Sequence, residues 1–102
     1  MVKKISYKLI WDDLAVDQLD EYLKNVSKQS ESAPNLIRDR ILSRLKAVQK
    51  NPYICEPDRF RDNNDGSYRA FTVYTYRVTY SIKDNYIRII RVRSSNKEPL
   101  EY

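Results

Sequence analysis

Tyr68-Arg69-Ala70-Phe71-Thr72-Val73-Tyr74-Thr75-Tyr76-Arg77-Val78-Thr79-Tyr80-Ser81-Ile82-Lys83-Asp84-Asn85-Tyr86-Ile87-Arg88-Ile89-Ile90-Arg91-Val92-Arg93 is the stretch that decides the fold. Valine, isoleucine, threonine and tyrosine dominate it, and it holds neither proline nor glycine. Such residues pack well on a pleated surface, so the whole stretch reads as β. It is too long for one strand. Asp84-Asn85 suits a two-residue hairpin turn between Val78–Lys83 and Tyr86–Arg93. An earlier turn is expected near Tyr74-Thr75, although these residue types are poor turn formers. Three strands in an antiparallel meander result.

Working outward, turn-forming residues are concentrated just before the meander, in Asn63-Asn64-Asp65-Gly66-Ser67, and residues 53–67 read as a loop. Before the loop lies a helix over residues 33–50. Ile37, Ile41, Leu45 and Val48 recur at helical spacing, Ser32 and Pro34 suit its start, and Asn51-Pro52 stops it. A first helix is expected over residues 12–29. Asp12 stands at its cap, and Ala15, Leu19, Tyr22 and Val26 share a face. Residues 3–10 read as a first strand, with Ile5, Tyr7 and Leu9 alternating against Ser6 and Lys8. The order is β-α-α-β-β-β, an α+β fold in which a helical hairpin packs on one face of a mainly antiparallel sheet. The opposite sheet face is expected to display arginines and tyrosines.

The chain has 102 residues, 41% hydrophobic and 32% charged, which suits a single folded domain and is too apolar for a disordered one. No apolar run approaches the roughly 20 residues of a membrane helix, and no signal-peptide core follows Lys3 and Lys4, so a cytoplasmic protein with no membrane partner is expected. Histidine is absent and Cys55 is the sole cysteine. Ser-His-Asp triads, Cys-His dyads and His- or Cys-based metal clusters are thereby excluded, and no cofactor or metal is expected. Cys55 reads as a packed thiol. Net charge is +5 and unevenly spread. Residues 1–58 carry 10 basic and 9 acidic side chains, whereas residues 59–97 carry 9 basic and 3 acidic. That concentration points to a polyanionic partner, either nucleic acid or an acidic protein.

Alternation assigns the faces. Val78, Tyr80 and Ile82 point one way, which places Arg77 on the face opposite the helices. Arg91 and Arg93 lie two apart, and pairing through the Asp84-Asn85 turn brings one of them near Arg77. Converging guanidinium forks match phosphate oxygens. Solvent-facing strand arginines that merely limit edge pairing are the plainer reading of the same spacing. Arg69 shares parity with Phe71 and Val73, so it is expected at the fraying start of its strand.

Tyr76-Arg77-Val78-Thr79-Tyr80-Ser81-Ile82 resembles the Y-R-[VIL]-x-Y-x-I strand of RelE/ParE toxins. Ile90-Arg91-Val92-Arg93, followed by Glu98-Pro99-Leu100-Glu101-Tyr102, is similar to their last strand and ending. Trp11-Asp12-Asp13-Leu14-Ala15-Val16-Asp17-Gln18-Leu19 and Asn51-Pro52 fit the same pattern. The resemblance covers residues 1–102 as one domain. It implies a toxin of a type II toxin–antitoxin pair, a plasmid-stabilisation type of system, neutralised by a cognate antitoxin. It further implies one of two targets: mRNA on the ribosome, cleaved by RelE-type members, or DNA gyrase, inhibited by ParE-type members. The first is the leading expectation; an inactive, degenerate toxin is a third outcome.

In the endoribonuclease reading the resemblance assigns phosphate contacts to Arg77 and Arg91. Arg93 is added as their neighbour, and Tyr102 as a stacking or proton-transfer group. Arg61, Arg69, Lys46 and Lys50 are further candidates for substrate contacts. Glu56 or Asp58 would be a loop base, or equally an ordinary loop residue. The family's frequent histidine near the end of the last strand is replaced here by Arg93-Ser94-Ser95. Arg77→Ala is expected to abolish RNA cleavage and leave the fold intact.

Overall fold

A computed structural model of the chain describes residues 7–94. Its elements are β1 (Lys8–Trp11), α1 (Asp13–Ser27), α2 (Ala33–Lys50), β2 (Tyr68–Val73), β3 (Tyr76–Lys83) and β4 (Tyr86–Ser94). The expected order β-α-α-β-β-β is the observed one. The first strand is shifted relative to expectation, beginning at Lys8 and including Trp11; residues 3–6 lie outside the described residues. Asp12 stands at the α1 N-cap but makes no side-chain capping bond. Its carboxylate is drawn instead to Arg88, whose Nε lies 3.3 Å from Oδ1.

The sheet runs β1-β4-β3-β2. Both expected two-residue turns form, with Val73 opposite Tyr76 and Lys83 opposite Tyr86. β1 joins β4 in parallel, Lys8 opposite Tyr86 and Trp11 opposite Ile89. A parallel pair needs a crossover, and the two helices supply it. The crossover lays both helices on one sheet face. Ala15 and Leu23 of α1 and Ile37, Ile41, Leu45 and Val48 of α2 pack there against Phe71, Val73, Val78, Tyr80, Ile82, Ile87, Ile89 and Val92. Burying a side chain such as Ile41 or Leu45 contributes about 1.5–3 kcal/mol each.

Past Trp11, no strand among the described residues flanks the outer edge of β4. Two α1 side chains satisfy it instead. The Val92 N–H donates to Gln18 Oε1 at 2.9 Å, and the Ser94 N–H to the Tyr22 hydroxyl at 3.3 Å. The helix therefore shields an edge that would otherwise invite pairing with another chain.

Candidate target-binding face

The helix-free face of the sheet is set by the pairing of its two central strands. Arg77 lies opposite Arg93, Thr79 opposite Arg91 and Ser81 opposite Arg88. Between Thr79 and Tyr80 the register slips, so that Tyr80 pairs with Ile89 and Ile90 is the extra residue. This β-bulge decides where the arginines point. By strict alternation Arg91 and Arg93 would share the face of Ile87 and Ile89, which is the core. The extra residue inverts the parity beyond it. Val92 then enters the core, and Arg91 and Arg93 join Arg77 and Arg88 on the other face.

Two guanidiniums directly opposite each other, Arg77 and Arg93, repel. The loop between α2 and β2 supplies a counter-charge. Asp58 Oδ1 accepts from Arg77 Nη2 at 2.7 Å, with side-chain exposures of 0% for Asp58 and 12% for Arg77. The same oxygen accepts the Phe60 N–H at 3.1 Å, and Arg77 lies over the Phe60 ring, 4.9 Å from its centroid. The loop is fixed around this pair. Asp58 N–H donates to Tyr68 O at 2.8 Å, and Asn64 Nδ2 donates to both Asp58 O and Tyr68 O. Asn64 Oδ1 accepts the N–H of Gly66, whose φ of +95° a side chain would strain. Arg61, farther along the loop, stacks on the Tyr68 ring at 3.5 Å.

Arg77 is accordingly on the expected face, largely covered by the loop and paired with Asp58. The expectation that Arg77→Ala would spare the fold is corrected: removing the guanidinium leaves the Asp58 carboxylate buried without its charge partner. Asp58, expected as a loop base or an ordinary loop residue, is buried and is that partner. Arg69 is also corrected. It does not fray; it lies on the helix side, where Nη1 donates to Cys55 O at 2.6 Å and Nε to Gly66 O at 2.9 Å. Its fork is spent on holding the loop, on the face opposite Arg77. Lys46 and Lys50 are exposed on α2, in the other layer of the molecule. Tyr102 lies outside the described residues.

Arg61, Arg88 and Arg91 do come together. A recess of about 510 Å³ is lined by Asp12, Arg61, Tyr68, Ser81, Tyr86 and Arg88, among others. A second of about 310 Å³ adjoins it at Asp12, Arg61 and Ile90 and reaches Arg91. Arg88, Tyr68 and Tyr86 were not singled out from the sequence, although the Asp84-Asn85 turn sets Arg88 opposite Ser81 and so on the open face. Among the described residues no group of His, Cys, Asp or Glu is arranged to hold a metal ion. No helix among them is long and apolar enough to cross a membrane. The face offers fixed positive charge, aromatic surface and a partly exposed carboxylate, Asp12.

Comparison with known proteins agrees with this architecture. The fold is similar to the chromosomal ParDE toxin–antitoxin system from P. aeruginosa, at 19% identity and a TM-score of 0.67 over 87% of this chain and 96% of that one. It is similar to the RelBE2 toxin–antitoxin complex from Mycobacterium tuberculosis, at 18% identity and a TM-score of 0.57 over 90% and 94%. It is also similar to the YoeB/ParE toxin from Agrobacterium tumefaciens, at 18% identity and a TM-score of 0.53 over 85% and 96%. No curated protein matches the chain. Identities this low carry the fold alone. Residues 9–99, however, match the family described as ParE toxin of the type II toxin–antitoxin system parDE, across both helices and all four strands. The chain therefore belongs to the ParE toxin family, within the RelE/ParE superfamily of type II toxins.

Proposed function

We infer that this protein blocks growth by binding DNA gyrase, without catalysis, and is held inactive by a cognate antitoxin. The observation that carries this reading is the Arg77–Asp58 pair. A RelE-type ribonuclease would set Arg77 against a phosphate. Here a phosphate must compete with the Asp58 carboxylate for that guanidinium, and displacing it leaves a buried charge without its partner. The charges around the recess, Arg61, Arg88 and Arg91, suit an acidic protein surface. The ParE family match supports the same target. A cytoplasmic location fits a protein that acts on gyrase and is held by an antitoxin.

The test runs two purified systems in parallel. Gyrase supercoiling of relaxed plasmid is expected to fall as the protein is added, and mRNA on translating ribosomes is expected to stay whole. Cut mRNA together with unimpaired supercoiling overturns the reading in favour of RelE-type cleavage.

A further inference from the structure

The larger recess on the open sheet face, of about 510 Å³, has the volume of a small-molecule site. We propose that it binds a free nucleoside diphosphate, with the base on Tyr86 and the phosphates held by Arg61, Arg88 and Lys83. This goes beyond the gyrase reading. Only its consequence, that a filled recess takes Arg61 and Arg88 away from the target, rests on that reading.

Strand register builds the site. Tyr86 stands between Lys8 of β1 and Lys83 of β3, so two ammonium groups flank one aromatic ring across the sheet. Two residues further along, a second row crosses all four strands: Ile10, Arg88, Ser81 and Tyr68 lie opposite one another in turn. Residues two apart on a strand share a face. Tyr86 and Lys83 of the first row therefore line the same recess as Arg88, Ser81 and Tyr68 of the second. One wall thus alternates aromatic surface with positive charge.

Charge gives the ligand's chemistry. The Arg61 guanidinium lies 3.5 Å from the centroid of the Tyr68 ring, which fixes its plane and turns its N–H groups sideways. Neither Arg61 nor Lys83 forms a salt bridge among the described residues. Arg88 meets Asp12 at 3.3 Å, but the two side chains are 56% and 36% exposed. An exposed pair of this kind is weak and gives way to an anion of higher charge. Guanidinium forks match phosphate oxygens, and Ser81, beside Arg88, adds a hydroxyl donor. Tyr86 is 44% exposed and offers its ring to a base, since stacking accepts any of them.

The ends of the recess set the ligand's length. Asp84 follows Lys83 at the hairpin turn, and Asp12 follows Trp11, which pairs with Ile89; both carboxylates line the recess, one toward each end. A strand of nucleic acid running through would carry its phosphates past both and be repelled. A single nucleotide places its phosphates between them and leaves the carboxylates to accept from ribose hydroxyls.

Calorimetric titration of the purified protein tests this with adenosine diphosphate, pyrophosphate and adenosine as probes. Adenosine diphosphate is expected to bind at least about tenfold more tightly than pyrophosphate, because one stacked base adds to the same charges. Adenosine, lacking the phosphates, is expected to bind more weakly than the diphosphate. Tyr86→Ala is expected to bring adenosine diphosphate down to the level of pyrophosphate and to leave pyrophosphate unchanged. Arg88→Gln is expected to weaken both by about tenfold. Circular dichroism checks that each variant is folded. In the wild type, amide resonances of Ser81 and Arg88 are expected to shift with adenosine diphosphate. Equal binding of the diphosphate and pyrophosphate, no binding of either, or shifts that spare Ser81 and Arg88 overturn the proposal. A short oligoadenylate that binds through Tyr86 more tightly than adenosine diphosphate also overturns it, in favour of a nucleic-acid strand. Gyrase is absent from these titrations, so the site and the gyrase reading fail separately.

Discussion

Asp58 and Arg77 are 19 residues apart in the chain and 2.7 Å apart in space, and through this contact the loop after α2 is fastened to the centre of the sheet. Asp58 carries two loads at once, the Arg77 guanidinium and the Phe60 N–H. Arg77→Ala is expected to destabilise the protein by about 3–5 kcal/mol, read as a lower denaturant midpoint. Arg77→Met combined with Asp58→Asn removes both charges and keeps an acceptor for the Phe60 N–H; it is expected to recover most of that loss. If the double variant is folded and still inhibits gyrase, the pair is structural. A folded double variant that has lost all inhibition would place Arg77 in the binding surface itself.

The bulge at Ile90 makes a sharper prediction about the sheet. Deleting Ile90 regularises the ladder and leaves Ile87, Ile89 and Val92 on the core face and Arg88, Arg91 and Arg93 on the other. The shortened chain is expected to fold, with a loss of no more than about 1–3 kcal/mol. Deleting Val92 forces an arginine opposite Val78, into the core, and is expected to prevent folding. Equal behaviour of the two deletions in a thermal melt would contradict this register.

Tyr74 and Asp84 occupy the first position of the two hairpin turns, at φ +55° and +54°. Aspartate tolerates the left-handed region better than tyrosine does. Tyr74→Gly is expected to stabilise the protein by roughly 0.5–1 kcal/mol, because relief of about 1–2 kcal/mol of strain exceeds the extra backbone entropy of glycine. Asp84→Gly should bring a smaller gain. Thermal midpoints of the two variants provide the comparison.

Tyr80 is fully buried, and its hydroxyl donates to Pro52 O at 2.7 Å. Burial, reinforced by Cys55 beside it, raises the phenol well above its usual value of 10.0. The unfolded chain therefore releases this proton near pH 10 while the folded chain retains it, and stability falls as pH rises past that point. Alkaline unfolding followed at the tyrosinate absorbance band should be steeper for the wild type than for Tyr80→Phe. At neutral pH the same substitution is expected to cost about 1–3 kcal/mol, since Pro52 O loses its donor.

Local sequence determined a great deal here. Period-two alternation in Val78–Lys83 and the helical spacing of Ile37, Ile41, Leu45 and Val48 specify the elements and their buried faces, because side-chain direction is a property of each residue's own backbone. The bulge was not legible in the same way. The apolar residues of β4 are Ile87, Ile89, Ile90 and Val92, and only the pairing with β3 shows that Ile90 is the extra residue and that Val92 enters the core.

Tertiary structure decided the rest. The strand order β1-β4-β3-β2 depends on where a two-helix crossover delivers the chain, which no local preference encodes. Arg69 and Arg77 look alike as strand arginines, yet one holds loop carbonyls on the helix side and the other a buried carboxylate on the open side. Those partners come from residues 55–66, a segment without periodicity. Its path is fixed by contacts with distant residues, so the role of each arginine exists only once the loop has closed over the sheet.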